Sequence, residues 1–70
     1  MAKYDLVGVD GNAFSVMGYV RRALKETGLR DLMEEYSNKA MSGDYNNLLS
    51  VSIEYLDKAN EKAEELEMED

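Results

Sequence analysis

Apolar positions recur along this chain with two different rhythms. From Tyr4 to Val9 the chain is a short β-favouring run, in which Leu6, Val7 and Val9 supply bulk and Gly8 marks a bulge or a close approach. This predicts one short N-terminal strand or extended segment. Asp10-Gly11-Asn12 then breaks the run. Asp-Gly is a hairpin signal, so residues 13–17 are open to two readings: a second strand through Phe14 and Val16, or a helix capped by Asn12 or Asp10. Helix is preferred, because Ala13, Val16, Met17, Val20, Ala23, Leu24 and Thr27 return at helical spacing and cover one face. Gly28 stands where a C′ glycine belongs, with Leu29 as its hydrophobic partner. The spacing therefore predicts a first helix over 12–27, with Arg21, Arg22 and Lys25 opposite the apolar stripe.

A second, shorter helix is predicted over 31–41, with Leu29, Leu32, Met33, Tyr36 and Ala40 facing inward. Asp31, Glu34 and Glu35 suit the positive end of its dipole and Lys39 the negative end. Ser42-Gly43-Asp44 ends it and caps a third helix that starts near Tyr45. Tyr45, Leu48, Leu49, Ser52, Ile53, Leu56, Ala59, Ala63 and Leu66 share one face of that helix. Tyr19 and Tyr55 fall at the edges of their stripes, where each either closes the core or meets a partner. The expected fold is mainly α: a three-helix single domain over 1–56, followed by an acidic helical extension over 57–70 that frays at its end.

Composition narrows this picture. Seventy residues permit one small domain with a marginal core. The absence of cysteine removes disulfides and thiolate metal sites, and the absence of histidine removes the usual general base near neutral pH. No run approaches the length of a membrane span, and the start lacks a signal-peptide pattern, so a cytoplasmic location away from membranes is expected. The net charge is -7, of which residues 57–70 hold -5 (seven acids against two lysines) and residues 1–56 hold -2. Nucleic acid is not an expected partner of so acidic a surface. In the extension, Asp57–Glu61 and Glu61–Glu65 repel, and a solvated tail needs no function.

The most distinctive residues are Gly8-Val9-Asp10-Gly11-Asn12-Ala13-Phe14, then Gly18, Val20 and Ala23-Leu24, then Ser42-Gly43-Asp44-Tyr45 and Leu48-Leu49. On these the chain resembles a family of short, uncharacterised bacterial and phage proteins with a pattern like VGxDGNAF…GxVxxAL…SGDYxxLL, over roughly residues 5–56. The resemblance implies a bacterial or mobile-element origin and carries no chemistry with it. The acidic C-terminus departs from that pattern.

Candidate chemistry is sparse. Gly8 to Asn12 is a turn before a helix start, a plausible anion cradle, but it is neither a GxGxxG nor a Walker loop, and Asp10 repels phosphate. Asp5, Asp10, Asn12 and Asp44 offer oxygens without a calcium-loop spacing. No serine, lysine or glutamate sits in a nucleophile motif. The expectation is therefore no enzyme, no cofactor and no dedicated metal site.

What remains is a contact surface. Phe14, Gly18, Arg21, Arg22 and Lys25 lie off the core stripe of the first helix, and Tyr19 and Tyr55 lie at stripe edges. A glycine inside a helix costs about 1 kcal/mol against alanine, which suggests close packing at Gly18. The plainer reading puts Phe14 and Gly18 under the N-terminal strand and the arginines in water. The function expected is a small protein-interaction module of regulator or inhibitor type, with those seven residues as its candidate contacts. The alternatives are a small-ligand or phosphate binder at Asp10-Gly11-Asn12, and a homodimer formed through the third helix.

Overall fold

The computed structural model describes residues 3–68. They form three helices and, among the described residues, no strand. Helix α1 spans Ala13–Glu26, a single 3₁₀ turn spans Arg30–Leu32, α2 spans Met33–Ala40, and α3 spans Tyr45–Met68. No helix is long and apolar enough to cross a membrane among the described residues.

The signals that delimit α1 work as local chemistry. Asn12 is its N-cap, and its side-chain oxygen accepts from the Ser15 amide at 3.0 Å. Gly28 adopts φ +81, a conformation that glycine reaches without a Cβ clash. It donates its N–H to Lys25 O, while Leu29 N–H donates to Leu24 O at 2.7 Å. This pair of bonds is the Schellman stop, and Leu29 packs on the core beside it. The buried Thr27 hydroxyl donates to the Ala23 carbonyl at 2.9 Å, so it is no orphan.

The turn between α2 and α3 rests on Asn47. Asp44 Oδ1 accepts from the Asn47 amide at 2.9 Å and caps α3. The Asn47 side chain reaches back to donate to Lys39 O at 3.0 Å, joining the Ser42 hydroxyl, which donates to the same carbonyl at 2.7 Å, and so ties the end of α2 to the start of α3. Gly43 makes room for it: a Cβ there would lie 2.9 Å from Asn47 Cβ.

Helices α1 and α3 run in the same direction. Tyr45, at the start of α3, donates its hydroxyl to Gly11 O just before α1. Asn60, late in α3, holds Tyr4, whose hydroxyl donates to Glu26 at the end of α1. Helix α2 runs the opposite way, its Ala40 end beside Asn47 and its Glu35 beside Tyr55. The core between them is Val16, Val20, Ala23 and Leu24 of α1, Tyr36 and Ala40 of α2, and Leu48, Tyr55, Leu56 and Ala59 of α3.

Its centre is polar at one point. The Tyr36 and Ser52 hydroxyls meet at 2.6 Å with both residues fully buried. The Tyr55 ring lies 5.3 Å from the Tyr36 ring, its hydroxyl donates to Glu35, and the Lys39 ammonium lies 5.7 Å from its ring centre. This cluster corrects the predicted face of α3. Tyr55 belongs to the core and is unavailable to a partner, whereas Ile53, Tyr45 and Leu66 are exposed. The packed part also runs past residue 56, because Ala59 and Ala63 are buried.

The N-terminal segment is ordered without being a strand. A strand needs a neighbour, and the chain holds only one β-like run. Residues 6–9 instead make a turn, with Val9 N–H donating to Leu6 O at 3.1 Å and Gly8 at φ +85 in the position a type II turn gives to glycine. Asn60 stands in for the missing neighbour: its Oδ1 accepts from Tyr4 N at 2.7 Å and its Nδ2 donates to Tyr4 O at 2.9 Å. Residues 13–17 are helix. Once Asn12 caps them, they share α1's buried face and no second strand forms.

Removing the Tyr36 hydroxyl leaves Ser52 buried without a partner, at a cost of about 1–3 kcal/mol. Tyr36→Phe is therefore expected to lower the urea midpoint. Adding Ser52→Ala is expected to recover most of the loss, as a double-mutant cycle will read. Burial raises the phenol pKa of both Tyr36 and Tyr55; the Ser52 hydrogen bond partly opposes this for Tyr36, and the hydrogen bond to Glu35 adds to it for Tyr55. The fold thus prefers the neutral phenols. That stability is fully present below the free-tyrosine value near 10 and is lost as pH rises through the raised values. Absorbance at 295 nm and far-ultraviolet circular dichroism are expected to show tyrosine ionisation and helix loss together at alkaline pH.

Candidate functional site: the outer face of the first helix

Positions 14, 18, 21, 22 and 25 of α1 fall opposite the buried residues 16, 20, 23 and 24, so they cannot join the core without turning the helix over. Phe14 is 88 % exposed and does not pack under the N-terminal segment. Gly18 is exposed too, and nothing lies within 4 Å of where its Cβ would sit. The close packing expected there is absent among the described residues; Gly18 lowers the helix surface instead. Arg21, Arg22 and Lys25 are exposed and make no salt bridge or side-chain hydrogen bond among the described residues.

Gly18 forms a saddle between two hollows. One lies between α1 and α2, encloses about 630 Å³ and has Met17, Gly18 and Ser37 in its wall, with Phe14, Met41 and Arg21 around it. Met41, just past the end of α2, is 71 % exposed. The Ser37 hydroxyl is shut off from solvent and has no hydrogen-bond partner among the described residues. The other hollow, of about 750 Å³, lies between α1 and the Leu6–Val9 turn. Val7 at the turn tip is 89 % exposed, and Lys3, Asp5, Asp10 and Arg22 give this side a polar, mixed-charge wall.

Of the other predicted contacts, Tyr19 is half-buried. Its hydroxyl accepts from the Asp5 amide at 3.1 Å and its ring meets Tyr4 edge-on at 6.3 Å, so it holds the N-terminal segment and walls the second hollow. In the Asp10-Gly11-Asn12 turn, Asp10 Oδ1 accepts from Asn12 N at 3.2 Å, Asn12 Oδ1 accepts from Ser15 N, and Gly11 O accepts from the distant Tyr45 hydroxyl. It serves as a cap and a tether. Among the described residues no three acidic side chains are placed to share a metal ion.

The structure adds Met41 and Val7 to the surface, and neither was visible as a contact in the sequence. Met41 comes beside Phe14 only because α2 folds back along α1, and Val7 is turned outward by a hydrogen-bonded turn where alternation would have placed it in a strand. Charge is segregated as well. On α1 the three cations face one acid, Glu26, which takes the Tyr4 hydroxyl, whereas residues 45–68 carry six acids and two lysines.

No known protein family, curated protein or solved structure matches this chain.

Phe14 buries almost nothing within the chain, so Phe14→Ser is expected to leave stability within about 0.5 kcal/mol of the parent. Gly18→Ala is expected to raise stability by about 0.5–1 kcal/mol, because helix propensity improves and no neighbour is touched. Thermal denaturation of the two variants checks both.

Proposed function

We propose that this protein is a non-enzymatic interaction module of regulator or inhibitor type, of bacterial or mobile-element origin and cytoplasmic, which binds another protein through the outer face of α1 and the α1–α2 groove. One observation carries this reading: a phenylalanine almost wholly in water, next to an exposed methionine, on the rim of an apolar groove. An exposed large apolar cluster in so small a domain marks an interaction site, and aromatic residues beside a pocket are the usual anchors of such sites. Gly18 strengthens the reading, since a helix-destabilising residue is kept where it packs against nothing in the chain.

Homodimerisation through α3 has less in its favour. Of its exposed large side chains, Tyr45 is tethered through its hydroxyl to Gly11 O, and Ile53 and Leu66 are thirteen positions apart, about 20 Å along the helix and on different sides of it.

The test is a photo-crosslinking phenylalanine analogue placed at position 14, with position 53 as the control, in lysate of the source organism. Position 14 is expected to give one dominant adduct of defined mass that Gly18→Leu abolishes by filling the saddle. Equal yields from the two positions, or no adduct at position 14, would defeat the reading.

A further inference from the structure

The α1–α2 groove has dimensions and a charge that narrow what can fill it. It runs from Ala13 and Met41 at one end to Arg21 at the other. Eight residues of α1 separate its ends, about 12 Å or two helical turns. Two antiparallel helices present a furrow between them, and the shape that fits such a furrow is the side-chain ridge of a third helix. Gly18 lies near the middle of the run, where the missing Cβ lets an incoming backbone approach closely. The wall is apolar at the Phe14–Met41 end and cationic at the Arg21 end. Arg22 flanks the saddle on the far side, and Lys25 lies one turn further along α1.

On this basis, and resting on the interaction reading above, we propose that the occupant is an acidic amphipathic helix of a partner protein. Its apolar residues, spaced three and four apart, would enter between Phe14 and Met41. Its flanking carboxylates would meet Arg21 at the end of the groove and Lys25 one turn beyond it, whose guanidinium and ammonium groups have no carboxylate of this chain to satisfy them among the described residues. The chain's own acidic helix end cannot fill the site in cis. Helix α3 is continuous to Met68 and runs parallel to α1, so its acidic end lies at the opposite end of the molecule from Phe14. Nucleic acid fits less well, because Asp5 and Asp10 line the hollow next to Arg22 and the groove itself offers one cation in an apolar wall.

The experiment uses the full chain and three probes at low and moderate salt: a synthetic amphipathic peptide with leucines at helical spacing and glutamates on both flanks, the same peptide with lysines in place of the glutamates, and a single-stranded oligonucleotide. Fluorescence anisotropy is expected to show the acidic peptide binding at least about tenfold more tightly than its lysine counterpart. That margin is expected to shrink as salt rises. Arg21→Glu with Lys25→Glu is expected to reverse the preference, and Phe14→Asp to abolish binding of both peptides; circular dichroism of each variant confirms that it remains folded.

A Phe14-dependent site that prefers the lysine peptide overturns the acidic partner while leaving the interaction surface in place. Absence of binding by either peptide, or a Phe14-dependent preference for the oligonucleotide, overturns the helix-in-groove proposal. Concentration-dependent dimerisation that Phe14→Asp breaks would assign the groove to a second copy of this chain and also overturn the proposal.

Discussion

Two hydroxyl groups, those of Tyr36 and Ser52, meet 2.6 Å apart where α2 crosses α3, with no access to water. Each hydroxyl has the other as its side-chain partner, so the register of α2 against α3 is held by a directional hydrogen bond. The Tyr55 ring lies tilted against the Tyr36 ring and sends its own hydroxyl out to Glu35, which fixes the same two helices a second time. Apolar side chains alone tolerate sliding by a fraction of a turn, since hydrophobic contact is not directional. The polar pair does not, and the rest of the bundle takes its geometry from it. With α2 held, Met41 is carried to the side of Phe14, and the groove between α1 and α2 acquires its two ends.

The interior asks for a continuous apolar stripe on each helix, and α1 meets that demand with Val16, Val20, Ala23 and Leu24. Nothing in the interior asks for Phe14, Gly18 or Met41. Phe14 places a large apolar surface in water, and Gly18 weakens the helix around it. In a domain whose stability is a small difference between large terms, features that do not serve the core belong to what the surface does. The same separation holds for charge: the acids gather on α3 and the cations on the exposed side of α1, so the molecule presents a cationic, apolar strip on an acidic body.

Much of the scaffold was legible from residue order, because helix starts and stops are local events. Asn12 and Asp44 cap amides within three residues of themselves, and Gly28 with Leu29 closes α1 through bonds that span five residues. The 3.6-residue rhythm of α1 likewise named its buried face before any fold was considered. Local pattern leaves open whether the N-terminal run is a strand or an extended segment, for the converse reason. Leu6, Val7 and Val9 have strand character, but a strand exists only in a partner's company, and the groups that answer Tyr4 come from Asn60, 56 positions away. Similarly, Tyr55 looked like an edge residue because the predicted stripe of α3 extended to Ile53 on its opposite flank. Only the hydroxyl partners Ser52 and Glu35 show that α3 is rotated toward Tyr55.

Sequence by itself therefore determined the helices, their ends, the inner face of α1, and the outward position of Arg21, Arg22 and Lys25. These follow from backbone capping and side-chain periodicity, which act over a few residues. Tertiary structure alone decided which way α3 is turned, that Asn47 and Asn60 tie distant backbone together, and that Phe14 and Met41 share the rim of one groove. Those outcomes depend on side chains far apart in the chain meeting at hydrogen-bonding or contact distance, and no local pattern encodes that meeting.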